Sequence, residues 1–256
     1  MERKHIYGIV GILLAVTVII VAMVLLSTLP GKQTGVVEGN GGDAIIDGVS
    51  YKEKNLTTVL FIITDGDGNK SEAVKIMLLS LDALSKTYGE LSIDTDVLTS
   101  IPVMTSGGSW TGESRQDRLA VAQSGGDSPS SGCLNTKRAV SNLLYGLKID
   151  YYICVPVTSS LLQKLDLQNA KMAMNALYEA MLSAEANNTT LSVTATDMTS
   201  STVRRIVADM EKYTGSHSFT LGGTAASGET EGLHIDIREL NDMVVTLYYE
   251  RVQTNE

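Results

Sequence analysis

Hydrophobic positions follow three patterns along the chain. From Ile6 to Leu29 no residue is charged, and at about 1.5 Å rise per residue a helix over that stretch crosses a hydrocarbon core about 30 Å thick. The run is longer than the apolar region of a cleaved signal peptide, and the stretch from Leu25 to Pro30 offers no small-residue cleavage site, so it is expected to remain as an anchor. Arg3 and Lys4 precede it, whereas Glu38, Asp43 and Asp47 follow. The positive-inside rule then places residues 1–5 in the cytoplasm, a span over 6–29, and everything later outside the cell membrane. Glycines at 31, 35, 39, 41, 42 and 48 argue for a flexible stalk over residues 30–54.

Beyond the stalk the pattern changes to strands and helices. The runs Thr57–Thr64 and Ala73–Leu81 are almost continuously apolar and rich in Val and Ile, which predicts strands covered on both faces. Tyr88–Val97 and Asp150–Val157 predict two more. Helical spacing puts Val140, Leu143, Leu144 and Leu147 on one face. The same spacing recurs at Ala173, Ala176, Leu177, Ala180, Met181 and Ala184, then at Val203, Ile206, Val207, Met210 and Tyr213. A last apolar face, with Leu240, Met243, Val244, Leu247 and Tyr248, follows Asp236 and Glu239, spaced as in a capping box. Strands and helices interleaved over residues 55–256 predict one extracellular α/β domain, a single α/β/α sandwich behind one amino-terminal transmembrane helix.

Composition narrows the function classes. The chain has 256 residues, 43% of them hydrophobic and 19% charged, a globular balance rather than a disordered one. Its net charge of −9 and the lack of a nucleic-acid module argue against nucleic acid as a partner. There is no phosphate loop, GxGxxG, CxxC, HExxH or GxSxG, and His5, His217 and His234 are scattered. Asp65, Asp67, Asn69 and Ser71 share the alternate spacing of a calcium loop, but Lys70 stands where its glycine belongs and Ile76 where its glutamate belongs. A solvated turn is the favoured reading; a loosely held Mg²⁺ on Asp65 and Asp67 is the alternative. Cys133 and Cys154, the two cysteines, are read as separate unreactive thiols, with a disulfide as the alternative. Trp110, in the run Gly107–Gly112, is assigned to a glycine-rich surface loop rather than to an apolar pocket.

The order of span, stalk, TVLFIITDGDG, KIMLLSLD, LSIDTDV, LAVAQSGG and GLKIDYYICVP resembles the LytR-CpsA-Psr family of cell-envelope proteins, clearly over residues 56–165 and more loosely over 170–250. The resemblance implies an anchored, exported α/β domain that transfers polyprenyl-pyrophosphate-linked glycopolymer to the cell wall, usually with Mg²⁺. That chemistry needs cations on a pyrophosphate, a carboxylate, and an apolar groove for the lipid. Thr64 and Asp65 match the Thr-Asp of the family's GTDSR motif, while its arginine position is Asp67. Asp96 matches the aspartate of SIPRDT, Thr95 replacing its arginine, and Val74 replaces a further family aspartate. Leu119, Ala122, Gly125 and Gly126 resemble LNxAYxxGG, and Ile149, Asp150, Tyr151 and Tyr152 match IDYY. The arginine-rich segments expected after Asp166 are missing. By this resemblance Asp65 and Asp96 are the catalytic candidates if the protein is active, and Arg115 and Arg118 are the candidates for the lipid pyrophosphate. A solvated helix face is the favoured reading of the two arginines, since exposed arginine is the usual case. With the motif arginines lost, the expectation is a degenerate member acting as a binding or accessory protein toward polyprenyl-linked glycopolymer or envelope proteins. The alternatives are an active transferase and a structural or adhesion ectodomain. An active site requires at least two arginines converging on one apolar cleft.

Overall fold

A computed structural model describes residues 43–68, 70–104, 109–165, 169–191, 193–225 and 231–252. The expected cytoplasmic tail and span lie outside the described residues, and among the described residues no helix is long and apolar enough to cross a membrane.

The first described segment corrects the expected stalk. Strands β1 (Asp43–Ile46) and β2 (Val49–Glu53) pair antiparallel. Asp47 and Gly48 between them both have positive φ, as a two-residue hairpin turn requires. Ala44 and Ile46 enter the core, so this part of the glycine-rich stretch is packed structure rather than linker. The glycine signal misled because Gly48 serves a turn.

Four apolar runs build the central sheet as the spacing predicts. β3 (Leu56–Thr64), β4 (Ala73–Asp82), β5 (Thr87–Ile93) and, after a hairpin of β6 (Leu98–Met104) and β7 (Trp110–Arg118), β8 (Tyr151–Pro156) follow in chain order. Two strands that no apolar run announces complete it, β9 (Ala195–Thr196) and β10 (Gly215–Leu221). The order across the sheet is β10-β5-β4-β3-β8-β9. β3 runs parallel to β8 and β10 parallel to β5, while β4 is antiparallel to both β3 and β5. Strands β3, β5, β8 and β10 therefore point the same way and end on one edge.

The helices are α1 (Val121–Ser124), α2 (Pro129–Leu143), α3 (Ala170–Ala186), α4 (Ser200–Met210) and α5 (Ile237–Tyr248). Ser128 begins α2 with a reciprocal capping box to Ser131, Asn169 and Thr199 cap α3 and α4, and Asp236 accepts from the backbone N–H groups of Arg238 and Glu239 at α5. A short pair, β11 (Thr224–Ala225) with β12 (Leu233–His234), precedes α5. β13 (Tyr249–Arg251) then returns the chain to β2.

Side-chain alternation along β3 and β4 divides the interior in two. Leu60, Ile62, Ile76 and Leu78 face α2 and α5 and pack with Val140, Leu143, Leu240 and Val244. Val59, Phe61, Met77 and Leu79 face the other way, onto Ala173, Met174 and Leu177 of α3 and Val203, Ile206 and Met210 of α4. The sheet is thus covered by helices on both faces, as expected, and its central strands are apolar throughout because each face is buried. The region of Trp110, Arg115 and Arg118 is the β6–β7 hairpin and not a glycine-rich loop or a helix face.

Candidate functional site

In open α/β sheets, ligands bind outside the carboxyl ends of the strands, where no helix covers the backbone. Here that edge gathers Asp65 after β3, Glu72 before β4, the 94–97 turn after β5, and Arg118 at the end of β7. Backbone hydrogen bonds fasten these segments together. Ala73 N–H donates to the Ala120 carbonyl at 3.1 Å, Ala120 N–H to Thr95 at 2.8 Å, and Leu119 N–H to Val97 at 2.8 Å. The 94–97 turn is also tied to β10 and β12, through Asp94 N–H to Leu221 and Leu233 N–H to Asp96, both 2.8 Å.

Side chains on this edge form one connected chain of charges. The Asp65 carboxylate accepts the Glu72 N–H at 2.9 Å, and Asp65 N–H returns a bond to the Glu72 carbonyl at 3.0 Å, closing the β3–β4 turn. Arg118 donates through Nη1 to Asp96 Oδ1 at 3.0 Å, and its Nη2 lies 3.7 Å from Glu72 Oε2. The hydrogen bond to Asp96 raises the Arg118 pKa further above its ordinary value. Asp96 is itself positioned by its own N–H, which bonds Asp94 Oδ1 at 3.0 Å.

The structure thus brings three of the candidate residues together and separates a fourth. Asp65, Asp96 and Arg118 share the edge, linked by Glu72, which no sequence spacing marked. Arg115 pairs with Asp117 two residues on, at 3.4 Å, so the two lie on one face of β7 while Arg118 takes the other. The two arginines do not converge. Asp67 is exposed on the turn. Among the described residues no group of three or more His, Cys, Asp or Glu side chains is placed to hold a metal ion. The Asp65 carboxylate accepts the Glu72 N–H through Oδ1, and the Asp96 carboxylate pairs with Arg118 through Oδ1. Asn69, of the calcium-like spacing, lies outside the described residues.

Beneath the edge is a polar seam through the core. The buried Thr64 hydroxyl donates to the Gly66 carbonyl at 2.6 Å and lies 4.0 Å from Cys154 Sγ. Gln123 Nε2 donates to Cys133 Sγ at 3.6 Å. Both cysteines are free and buried, in keeping with the expectation of unreactive thiols rather than a disulfide. Trp110 donates its Nε1–H to the Glu113 carbonyl at 2.8 Å and stays on the hairpin. Open clefts among the described residues lie elsewhere, two of the larger ones as follows. One, of about 460 Å³, lies between α3 and α4 and is lined by Tyr178, Leu182, Arg204 and Arg205; the other, of about 430 Å³, lies between β10 and α5.

No protein-family model and no curated protein matches the sequence. Solved structures do match the fold. The Lin1025 protein from Listeria innocua is 14% identical, with 75% of this chain and 96% of that one covered and a TM-score of 0.52. TagT bound to LI-WTA is 12% identical, covers 75% of this chain and 90% of that one, and gives a TM-score of 0.50. TagT is named as the LytR-CPS2A-psr family protein YwtF in a further structure, with bound octaprenyl pyrophosphate lipid, at 13% identity, 75% and 90% coverage and a TM-score of 0.47. At such identities the likeness is one of fold: the chain shares the fold of TagT and of the Lin1025 protein.

Proposed function

We propose that the protein is a membrane-anchored, extracellular LytR-CpsA-Psr-like component of cell-envelope assembly that binds polyprenyl-linked glycopolymer or envelope proteins, with weak or no phosphotransferase activity. The observation that carries this reading is the charge balance at the strand edge. Arg118 is already paired with Asp96 and Glu72, Arg115 pairs with Asp117 on the other face of β7, and Asp65 and Asp67 are exposed acidic residues of the turn after β3. Two like charges about 4 Å apart repel by about 4 kcal/mol at the dielectric typical of a protein surface, which opposes the further negative charge that phosphoryl transfer develops at this edge. The anchor, the exterior location and the lipid-linked partner are supported by the uncharged run 6–29 and by the resemblance in motif order.

One observation favours an active transferase as the second reading. Asp96 and Arg118 form a directed pair at 3.0 Å on the edge where the resemblance places the catalytic aspartates, an arrangement that holds a guanidinium for an anionic substrate. The deciding experiment is thermal unfolding of the full-length chain with a polyprenyl pyrophosphate, alongside a transfer assay to peptidoglycan with Mg²⁺ in the buffer. A ligand at a hundredfold excess over its dissociation constant stabilises the folded state by about 2.7 kcal/mol. The accessory reading expects a melting shift without transfer and no effect of Asp65→Ala on transfer. Transfer that disappears in Asp65→Ala overturns it in favour of the enzyme, and no shift at all leaves the structural or adhesion ectodomain.

A further inference from the structure

We propose that the outer edge of β10 and the cleft beside it form a docking site for an extended, basic peptide segment of a partner protein, which adds a further strand to the central six-stranded sheet. A sheet edge presents unpaired backbone N–H and C=O groups, and proteins guard such edges by keeping the strand short or by placing charges or proline on it. The far edge is guarded in the first way, since β9 is only Ala195–Thr196. β10 is guarded in neither way. Its residues Gly215–Leu221 include no Lys, Arg, Asp, Glu or Pro, and among the described residues no strand pairs with its outer side.

Register fixes which backbone groups are on offer. The Leu221 carbonyl accepts the N–H of Asp94, just after β5, at 2.8 Å, so Leu221 directs its backbone groups toward β5. Alternation along the strand then turns the N–H and C=O groups of Ser216, Ser218 and Thr220 outward. All three residues are exposed. Their outward groups repeat about every 6.6 Å, two residues of strand rise, which is the repeat of an extended polypeptide. The occupant this edge fits is therefore a strand, held by main-chain hydrogen bonds.

Side chains beside the edge set the charge of that strand. Phe219 and Leu221 lie on the α5 side of the sheet, where the cleft of about 430 Å³ opens. Phe219, Leu221 and Met243 give it an apolar base, and the exposed Glu239 and Asp242 stand at its rim. Neither carboxylate enters an ion pair among the described residues. A side chain of the added strand that points to the same face as Phe219 enters this cleft. A lysine or arginine there lays its aliphatic stem on the apolar base and brings its cation to the two carboxylates. Two copies of this chain paired β10 to β10 would instead bring acidic rims together, which opposes self-pairing. The inference adds a protein partner to the accessory reading without resting on it.

The test selects a random heptapeptide library displayed on phage against the full-length chain in detergent, and then measures the enriched peptides by fluorescence anisotropy. It contains neither lipid nor glycan, so its failure leaves the polyprenyl reading standing. The expected peptides are strand formers that carry a lysine or arginine. Replacing that residue by glutamate should weaken binding about tenfold, as should Glu239→Lys combined with Asp242→Lys in the chain, the effect of losing two exposed ion pairs. Ser218→Pro should abolish binding while melting like the parent, because it removes an outward N–H that the fold does not use. The proposal is overturned if no peptide is enriched, if the enriched peptides lack a basic residue, or if a well-folded Ser218→Pro binds them equally. A dimer of the chain that Ser218→Pro dissolves also overturns it, in favour of self-pairing. Should Ser218→Pro fail to fold, the charge-reversed chain decides alone, and binding unchanged by that reversal overturns the proposal.

Discussion

The glycine pair at 125 and 126 carries part of the family resemblance, and the structure gives Gly126 a purely steric task that can be measured. A Cβ built on Gly126 would stand 2.2 Å from the Gly132 nitrogen and 2.7 Å from its Cα. On the opposing side, a Cβ on Gly132 would stand 2.2 Å from the Gln123 carbonyl oxygen. Comfortable contact is about 3.5 Å, so Gly126→Ala must push the start of α2 away from α1 by more than about 1 Å. The corner is held by Asn135 Nδ2 to the Ala122 carbonyl at 2.7 Å, by Thr136 Oγ1 to Gln123 Oε1 at 3.2 Å, and by Gln123 to Cys133. Overpacking costs about 1–3 kcal/mol, and each strained or broken hydrogen bond adds about 1 kcal/mol. A loss of about 3 kcal/mol is therefore expected. For a domain of this size that lowers the melting temperature by about 6–12 °C. The control is Gly222→Ala, where a Cβ meets nothing within 4 Å, and it should stay within about 0.5 kcal/mol of the parent. Circular-dichroism melts of the full-length chain give the comparison. If Gly126→Ala melts within about 2 °C of Gly222→Ala, the close-packing argument for the glycine pair is wrong.

Two further outcomes follow from the charges. Arg118→Ala should lower stability by no more than about 1 kcal/mol, since its side chain is 37% exposed and its ion pairs are screened, and should weaken any binding of anionic lipid; Arg115→Ala, which pairs with Asp117, should change neither, as isothermal titration and melting would show. Asp82 gives the pH prediction. Burial raises its carboxyl, but hydrogen bonds from Ser85 and the Leu84 N–H, with Lys54 nearby, outweigh that and set its pKa below the ordinary aspartate value. Its contribution is therefore complete above the unfolded value of about 3.9 and is lost as pH falls through the lower folded one. Asp82→Asn should flatten the loss of stability below about pH 4 in an acid titration followed by fluorescence, and an unchanged acid limb would refute the assignment.

Much of the fold is legible because the central strands are covered on both faces. A strand with two buried faces must be apolar at nearly every position, and Leu56–Thr64, Ala73–Asp82 and Tyr151–Pro156 stand out for that reason. The amphipathic stripes of α3, α4 and α5 are equally direct, since each buries one face of a helix against the sheet. Strand β10 escapes notice because it is an edge strand with mostly exposed residues, held by backbone pairing with β5. The β6–β7 hairpin escapes for a related reason: the second strand is polar at most positions and forms by pairing with β6 rather than by burial.

The site divides in the same way. Motif order alone singled out Asp65, Asp96 and Arg118, because each stands next to an apolar run whose pattern is unmistakable. Their union into one chain of charges through Glu72 and the turning away of Arg115 were decided only by tertiary structure. The physical reason is range. Periodicity along a chain reports which face of an element is buried, a local property of residues two to four apart. Which side chains meet depends on how β3, β5, β7 and α2 are brought together from residues as far apart as 53 in sequence, between Asp65 and Arg118. That assembly is set by strand pairing and core packing, which no local pattern encodes.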